Sequence, residues 1–336
     1  MFSHFKSFLS FIIVINLMSG YADESDRLGQ ATMTFLMIDP VARSVGIGEA
    51  STCMDNDINA IFHNPSGVAK VHGGVASFSY TQWLADMKQY AIVTGYGDQM
   101  WGTFVGSFIF MDNGEIPRTI PDASSLGFHV EETFTVNQFA AGIGYGRQLT
   151  DKFSVGGQIK YIYQDLGPAN IIDQTVNSID TLINTQSKEG IFAMDFGTMY
   201  YIGFKDLRIA MSFSNFGTSV QYSYESFSLP QVFKIGIAMD VFSLYKTMED
   251  QSLQVFLNSS NPNDYSERIN LGGEYNYRDL IFIRMGYRFN YDEGNLSFGF
   301  GLSPSAFNMN LKLDYAYSDY GQVFGIVHRF SLYFQL

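Results

Sequence analysis

Cysteine is almost absent from this 336-residue sequence, in which Cys53 is the single example. One cysteine cannot form an internal disulfide and cannot supply a multi-cysteine zinc or iron–sulfur site. Charged residues are also scarce, at 16%, against about 25% in a typical soluble domain. This low fraction argues against a disordered chain and against a solvated coiled coil.

Basic residues are fewer than acidic ones, 20 against 33, which gives a net charge of −13. Nucleic-acid-binding proteins need a basic face, so we expect no nucleic-acid partner. Beyond the N-terminus the longest uncharged run, 295–311, is interrupted by Asn, Ser, Gly and Pro304, which excludes a spanning helix. A mean hydropathy of +0.00 also excludes a membrane protein built from several helices.

The first 22 residues have the pattern of a secretory signal. Lys6 gives a basic start, the apolar stretch Phe8–Met18 follows, and the segment ends in Gly20-Tyr21-Ala22, which resembles a small-x-small cleavage site. The apolar stretch is shorter than the roughly 20 residues of a spanning helix, so a membrane anchor is the weaker alternative. We predict a cleavable signal peptide over 1–22 and export across the inner membrane.

Aromatic residues and glycine are abundant, with 31 Phe, 21 Tyr and 32 Gly. Many segments alternate apolar and polar residues, as between Ile281 and Tyr291, where Arg284 and Arg288 lie on the polar face. These runs exceed the roughly 5–6 residues of a strand in a soluble sandwich and match the roughly 9–11 of a transmembrane strand. The candidate strands are 74–81, 89–97, 100–111, 132–148, 153–165, 189–202, 207–215, 230–244, 251–259, 267–278, 280–291, 295–302, 307–319 and 323–335.

The predicted fold is therefore all-β, a transmembrane antiparallel β-barrel of about fourteen strands in the outer membrane. Its long connections are predicted at 112–131, 166–188, 217–229 and 259–266, and short turns alternate with them. Short periplasmic turns and longer outer loops are typical of such barrels. The lipid bilayer is thus the first predicted partner.

Residues 29–72 do not alternate. The stretch Asp55–Ala69 predicts a short helix with Asp55 as its N-cap, which ends at Asn64-Pro65 because the residue before proline avoids the helical region. We predict three parts in the chain: the signal peptide 1–22, an N-terminal hatch or plug 23–72 inside the barrel, and the barrel 73–336. A periplasmic tail is the alternative for the second part.

Several motifs carry a resemblance to a known family. They are the segment 35–50 (FLMIDPVARSVGIGEA), followed by Asp57, Ala60 and Asn64-Pro65-Ser66-Gly67-Val68-Ala69, and later Leu229-Pro230, Gly273-Glu274-Tyr275, Arg284-Met285-Gly286-Tyr287 and Asp314-Tyr315-Ala316-Tyr317. In this order they resemble the PorV/PorQ family of outer-membrane proteins, which is similar to the fourteen-stranded FadL-type barrels. His63 stands where that family usually has Trp, and Ser66 where it usually has Ala.

The resemblance implies a non-enzymatic function. PorV-like members are carriers or anchors for type IX-secreted proteins with C-terminal sorting domains, so the implied partners are secretion-system components and secreted cargo proteins. FadL-like members are instead gated channels for hydrophobic small molecules. The implied hatch or gate motif consists of Asp57, Asn59, Asn64, Pro65 and Gly67.

The sequence contains partial matches to metal-binding motifs, but none has the residues that its type of site requires. The His residues are scattered without metal-ligand spacing. The series Asp55-x-Asp57-x-Asn59 starts like a calcium loop, but Ala60 and Ser66 occupy the positions of its Gly and Glu. We expect no cofactor, no metal and no catalytic residues.

Charged residues on the polar faces of the predicted strands should point into the lumen. They are Lys160, Arg208, Lys234, Asp240, Arg268, Glu274, Arg284, Arg288, Lys312, Asp314 and Arg329. The lumen is thus predicted to be basic, with the acids mainly in loops, turns and the hatch. Two interpretations remain: an ion-pair network that holds the hatch, since buried charges must be paired, or a binding site for an anionic ligand.

Overall fold

The computed structural model describes residues 29–121, 127–173, 181–222, 225–244, 250–306 and 309–335. The predicted signal peptide 1–22, the first residues of the predicted hatch and the terminal Leu336 lie outside them. Among the described residues, no helix is both long enough and apolar enough to cross a membrane.

Fourteen antiparallel strands of the described residues form a closed barrel, which confirms the predicted fold. They are β1 (Gly73–Gln82), β2 (Lys88–Asp98), β3 (Gly102–Pro121), β4 (Phe128–Thr150), β5 (Phe153–Asp173), β6 (Thr181–Tyr201), β7 (Arg208–Gly217), β10 (Val232–Asp240), β11 (Gln251–Pro262), β12 (Arg268–Tyr277), β13 (Ile281–Phe289), β14 (Leu296–Leu302), β16 (Met309–Asp319) and β17 (Ile326–Gln335). The described chain also has short strands outside the ring, namely β8 (Val220–Tyr222), β9 (Glu225–Phe227) and β15 (Ser305–Ala306). Successive barrel strands pair with each other, and the ring closes where β17 pairs with β1.

The alternation in the sequence separates the two faces of the barrel wall. In β13, Ile283 and Met285 are more than half exposed on the outer face, whereas Arg284 and Arg288 are buried on the inner face. The other strands likewise leave large apolar side chains on the outside, among them Ile143 at 77% and Phe192 at 66% exposure. Water-soluble monomers rarely expose contiguous apolar surface above a few hundred Å², so this outer surface suits an apolar medium.

The two ends of the barrel differ. One end, here called the terminal end, carries Gly73 at the start of β1 and Gln335 at the end of β17. The described parts of all four predicted long connections lie at the other end, called the loop end, because each follows a strand that runs away from the terminal end.

Two of the predicted loops are largely strands. The connections 112–131 and 166–188 contain extensions of β3 to β6 that pair beyond the rest of the wall. Register shifts at Pro117/Thr119 and at Asp165/Pro168 accommodate the prolines, because a bulge tolerates a residue that cannot donate to the ladder. The prediction that 112–131 and 166–188 are loops is therefore wrong for these strand extensions.

The last strand also begins later than predicted. The structure has a helical turn at Gly321–Phe324, and β17 starts only at Ile326. Gly325 has φ 74°, in the left-handed region. Glycine adopts that region at little cost, so it can end the turn and redirect the chain into the strand.

The described part of the N-terminal segment, residues 29–72, contains four short helices. They are Thr34–Met37, Ala42–Gly46, Ile58–Phe62 and Pro65–Val68, of which only Ala42–Gly46 is an α-helix and the others are 3₁₀-helices. The predicted N-cap at Asp55 is wrong by two residues: Asp57 caps Ile58–Phe62 by accepting from Asn59 N at 2.9 Å. The helix does end before Asn64-Pro65, as the proline rule requires.

Candidate functional site

The N-terminal segment lies along the lumen from one end of the barrel to the other. Ala31 bridges Ser228 at the loop end, and Val71 O accepts a hydrogen bond from Thr103 Oγ1 near the terminal end at 3.2 Å. Most side chains between these points are buried. The barrel interior is therefore mostly filled by the chain's own N-terminal part.

Glycines in the wall allow the segment to approach the strands closely. A Cβ on Gly272 would meet the backbone and Cβ of Ile47, and one on Gly286 would meet the backbone of Gly48. Backbone atoms cannot rotate aside as a flexible side chain can, so only glycine fits at such close approaches. The inner faces of β12 and β13 are in this way shaped to hold residues 46–48.

The predicted gate motif is part of the same packing. Asn64 Nδ2 donates to Thr52 O at 2.8 Å, and its Oδ1 accepts from Ser66 N at 3.1 Å. Asn64 thereby caps the helix Pro65–Val68 and links it to Thr52, earlier in the segment. A Cβ on Gly197 would strike Asn64, and one on Gly156 would strike Pro65.

Five charged side chains form what we call the paired cluster: Arg43, Asp57, Glu274, Arg284 and Asp314. Arg43 contacts Asp57 at 2.9 Å and Glu274 at 2.7 Å. Arg284 then contacts Glu274 at 2.5 Å and Asp314 at 2.6 Å. This alternating chain of opposite charges links the helix Ala42–Gly46 to strands β12, β13 and β16.

The pKa shifts of Arg43 and Asp57, the two cluster members in the N-terminal segment, agree with that pairing. Burial alone would raise the pKa of the Asp57 carboxyl, but the Arg43 guanidinium, Lys312 and the hydrogen bond from Asn59 N together more than offset it and the pKa is lowered. Burial would lower the pKa of Arg43, and Glu274 and Asp57 together hold it well above its ordinary value. Both groups are charged at neutral pH, as a buried ion pair requires.

Other contacts fix the segment at more points. Arg288 Nη1 donates to Glu49 Oε1 at 2.6 Å, and Arg208 Nε donates to Cys53 O at 2.8 Å.

Burial raises the pKa of the Cys53 thiol to about 12, so it is neutral at physiological pH.

A cavity of about 180 Å³ remains in the lumen beside the segment. It lies between residues 36–40 and 62–63 of the segment and the facing wall, and Trp83, Tyr291 and Tyr320 border it at the loop end. Its basic lining residues are Lys160, Lys234, Arg268, Arg288 and Arg329; its acidic ones are Asp39, Glu49 and Asp195. Apolar lining comes from Leu36, Ile38, Phe62, Ile109, Ala140 and Val232.

The predicted lumen charges divide into distinct groups. Glu274, Arg284 and Asp314 belong to the paired cluster, and Lys312 lies over the Phe282 ring at 3.9 Å beside it. Lys160, Lys234, Arg268, Arg288 and Arg329 line the cavity, whereas Arg208 is buried against Cys53. Asp240 differs: its Oδ1 accepts from Phe242 N at 2.9 Å and so caps a turn at the end of β10.

The gate residues also take different positions. Asp57 joins the paired cluster, and Asn59 is buried close by in the helix Ile58–Phe62 that Asp57 caps. Asn64, Pro65 and Gly67 are packed against the wall or within the segment, and none of them lines the cavity.

Several acids and one base of the lumen are missed by sequence reasoning. Asp39, Glu49 and Asp195 in the cavity and Arg43 in the paired cluster are not among the predicted site residues. Asp195 lies two residues from both Ala193 and Gly197 on the inner face of β6, so the alternation of that strand is a usable signal. The N-terminal residues lie outside any strand, and no periodicity marks them.

Solved structures with this architecture include the toluene transporter TodX of Pseudomonas putida. The TM-score is 0.57 at 10% identity, over 87% of this chain and 95% of that one. A FadL homologue of Pseudomonas aeruginosa gives 0.52 at 11% identity, over 87% and 97%. The chain has the fold of a FadL-like barrel. No protein-family model and no curated protein matches it.

Proposed function

We propose that this FadL-like barrel lies in the outer membrane, is exported through the signal peptide 1–22, and passes small molecules with an apolar body through its lumen. It has no catalytic role in this proposal. The exposed apolar side chains of the outer face support the location, since they suit lipid rather than water. The similar structures described as a toluene transporter and a FadL homologue support the transport of hydrophobic compounds.

Partial filling of the lumen is the observation behind this proposal. The N-terminal segment occupies the barrel but leaves a cavity of about 180 Å³ towards the loop end. The cavity does not reach Asn64-Pro65, and its lining is mixed rather than wholly apolar. Passage to the terminal end therefore requires the segment to move, which makes residues 23–72 the proposed hatch.

Flux through purified protein tests this function. The full chain, after signal removal, is reconstituted into lipid vesicles, and the entry of radiolabelled hexanoate is measured against vesicles without protein. Mildly alkaline buffer keeps most of the acid ionised, the vesicles without protein measure the entry of its neutral form through bare lipid, and glucose serves as a polar control solute. We expect protein-dependent entry of hexanoate and none of glucose; equal entry with and without protein would contradict the transport proposal.

A second candidate function follows from the sequence resemblance to the PorV/PorQ family. The matching segment 35–50 and the matching residues Asp57, Ala60 and 64–69 all lie in the N-terminal segment, and a largely filled lumen suits a carrier or anchor of type IX-secreted proteins at least as well as a channel. Deleting the gene should then retain proteins with C-terminal sorting domains inside the cell. Their normal surface display in the deletion strain would exclude this function.

A further inference from the structure

The outer face of the barrel contains a groove of about 290 Å³ at strands β14, β16, β17 and β1. We call it the outer groove. Its lining is mainly apolar and includes Phe78, Phe300, Leu313, Tyr315, Phe330 and Leu332. Phe78, Leu313 and Phe330 are between 42% and 50% exposed. The outer groove therefore opens away from the lumen.

Strand pairing arranges these side chains in rows across the wall. Leu332 is paired with Phe78 on one side and with Leu313 on the other. In the next row toward the loop end, Phe330 is paired with Tyr315. Directly paired residues on one face have Cβ atoms about 4.5–5.5 Å apart, so the two rows form one continuous surface.

The row beyond them, nearer the loop end, is polar. His328 is paired with Tyr317 on β16 and with Gln82 on β1, and Gln82 is paired with Lys88 on β2. Alternation places these four side chains on the outer face, since their neighbours along each strand are buried. We call them the polar row. The outer groove is thus followed, toward the loop end, by hydrogen-bonding groups.

The polar row offers donors to a group outside the wall. The Tyr315 hydroxyl and His328 Nδ1 are hydrogen-bonded at 2.8 Å, which leaves the second ring nitrogen, Nε2, for another partner. Lys88 is exposed and forms no ion pair and no side-chain hydrogen bond with a described residue. Gln82 lies between these two residues in the register. An ammonium group beside neutral donors suits a phosphate.

Two carboxylates near the outer groove and the polar row are engaged elsewhere. Asp112 is paired in register with Lys88, but its Oδ1 accepts from Gly114 N at 3.0 Å. Asp314 also borders the outer groove, and its carboxylate contacts Arg284 at 2.6 Å on the lumen side. Lys88 thus keeps its charge for a group outside the wall.

The dimensions fit an acyl chain. From His328 to Leu332 the strand rises about 13 Å, at about 3.3 Å per residue. At the usual strand tilt of about 35–45° this covers about 10 Å of membrane depth. One leaflet of hydrocarbon is about 15 Å thick, half of the whole core. The outer groove therefore runs through much of one leaflet, with the polar row at its head-group side.

We propose that the outer groove and the polar row bind one lipid, with an acyl chain in the groove and an anionic phosphate head group at Lys88, Gln82 and His328. A phosphate-bearing lipid supplies an apolar chain and a negative charge in the order in which the rows present their partners. The site goes beyond transport, because it does not involve the lumen. It rests only on the location of the barrel in a membrane.

Quenching of tryptophan fluorescence by brominated lipids tests this site. Trp83 and Trp101, the two natural tryptophans, are replaced by phenylalanine, and Phe330→Trp places a reporter in the outer groove. Phe192→Trp is the matched control, because Phe192 is 66% exposed on the outer face of β6, six strands from β17. Each variant is first checked for an intact barrel by circular dichroism.

The proteins are reconstituted into phosphatidylcholine vesicles that contain increasing fractions of a brominated lipid. One series uses brominated phosphatidylglycerol, whose head group is anionic. The other uses brominated phosphatidylcholine, whose phosphate carries a positively charged choline. The ratio of quenching in the two series gives the preference for the anionic lipid at each reporter.

We expect at least a threefold preference for phosphatidylglycerol at Phe330→Trp and none at Phe192→Trp. Lys88→Gln should remove most of it, because a lysine at the membrane surface strengthens the binding of an anionic lipid about fivefold. Lys152→Gln removes the same charge from an exposed turn at the terminal end and should leave the preference unchanged. Inorganic phosphate should not compete, since it has no acyl chain.

Four results would overturn the site. Equal preferences at the two reporters, or equal losses in Lys88→Gln and Lys152→Gln, would show no more than general attraction of lipid to the barrel. Loss of the preference in inorganic phosphate would show a site for the free anion. Weak quenching of Phe330→Trp by both lipids would show that a second copy of the chain covers the outer groove.

Discussion

Two regions of the same lumen treat buried charge in opposite ways. In the paired cluster every charged group, from Arg43 to Asp314, contacts an opposite charge. Beside the cavity, Lys234, Arg268 and Arg329 have none among the described residues. Pairing fastens the N-terminal segment to the wall, whereas beside the cavity Glu49, which pairs with Arg288, interacts with the other three cations only from a greater distance. The same residue types thus hold the segment in place in one region and line a cavity in the other.

Breaking the paired cluster should give the largest effect on stability. Arg284→Gln leaves Asp314 buried without its partner, and removal of one member of a buried pair costs about 3–5 kcal/mol. The measurement is denaturant unfolding in lipid vesicles. Arg278→Gln is the control, because its pair with Asp250 is largely exposed and is worth at most about 1 kcal/mol. Equal losses in the two variants would contradict the structural role of the cluster.

Adding a methyl group at a wall glycine should lower the free energy of unfolding by less than Arg284→Gln does, and for a different reason. Gly272→Ala places a methyl group against Ile47, and such overpacking costs about 1–3 kcal/mol. Gly273→Ala, the next residue on the same strand, has nothing closer than 4.0 Å. We expect proteolysis to cut the N-terminal segment faster in Gly272→Ala alone. Unchanged cleavage in that variant would show that the segment is not held at this contact.

Acid should weaken the paired cluster in a way that depends on Asp57. Its pKa is lowered in the folded protein, so its contribution to stability is fully present above the ordinary carboxyl pKa of about 4 and is lost as the pH falls below it. Unfolding of the wild type and of Asp57→Asn is compared at pH 6 and pH 3. The difference between their free energies of unfolding should be smaller at pH 3 than at pH 6. An equal difference at the two pH values would show that the ion pair with Arg43 is not its cause.

Neutralising a cavity cation that forms no ion pair with a described residue should have the smallest effect on stability. Lys234→Gln removes no ion pair with a described residue, so we expect a change within about 0.5 kcal/mol of zero in the free energy of unfolding. The measurement is the same denaturant unfolding. A loss as large as that of Arg284→Gln would show that Lys234 is structural and would erase the difference between the two regions.

The barrel can be predicted from the sequence because alternation is a local pattern. The phase of each strand also identifies the inward charges, so the sequence alone is enough to assign Glu274, Arg284 and Arg329 to the lumen. Their partners cannot be found in this way. Arg43 and Glu274 are 231 residues apart, and only the folded barrel with its N-terminal segment inside brings them together.

The remaining errors have physical causes too. The extensions of β3 and β5 contain Pro117 and Pro168 at bulges, and sequence patterns do not separate a bulge from a loop. The cavity and the partners of its charged lining residues depend on how residues 29–72 lie in the lumen. Asp240 has an inward phase but lies at a strand end, where capping a turn takes precedence over the lumen.

In the proposed function, transport through this barrel depends on movement of the hatch, residues 23–72. Ala42 N donates to Ser331 Oγ at 3.0 Å, so we choose A42C with S331C, in a C53S background, as the pair for a reversible disulfide between the segment and the wall. Flux of hexanoate into vesicles is measured before and after reduction. We expect little flux in the oxidised protein and recovery after reduction; equal flux in the two states would show that the segment is not a hatch.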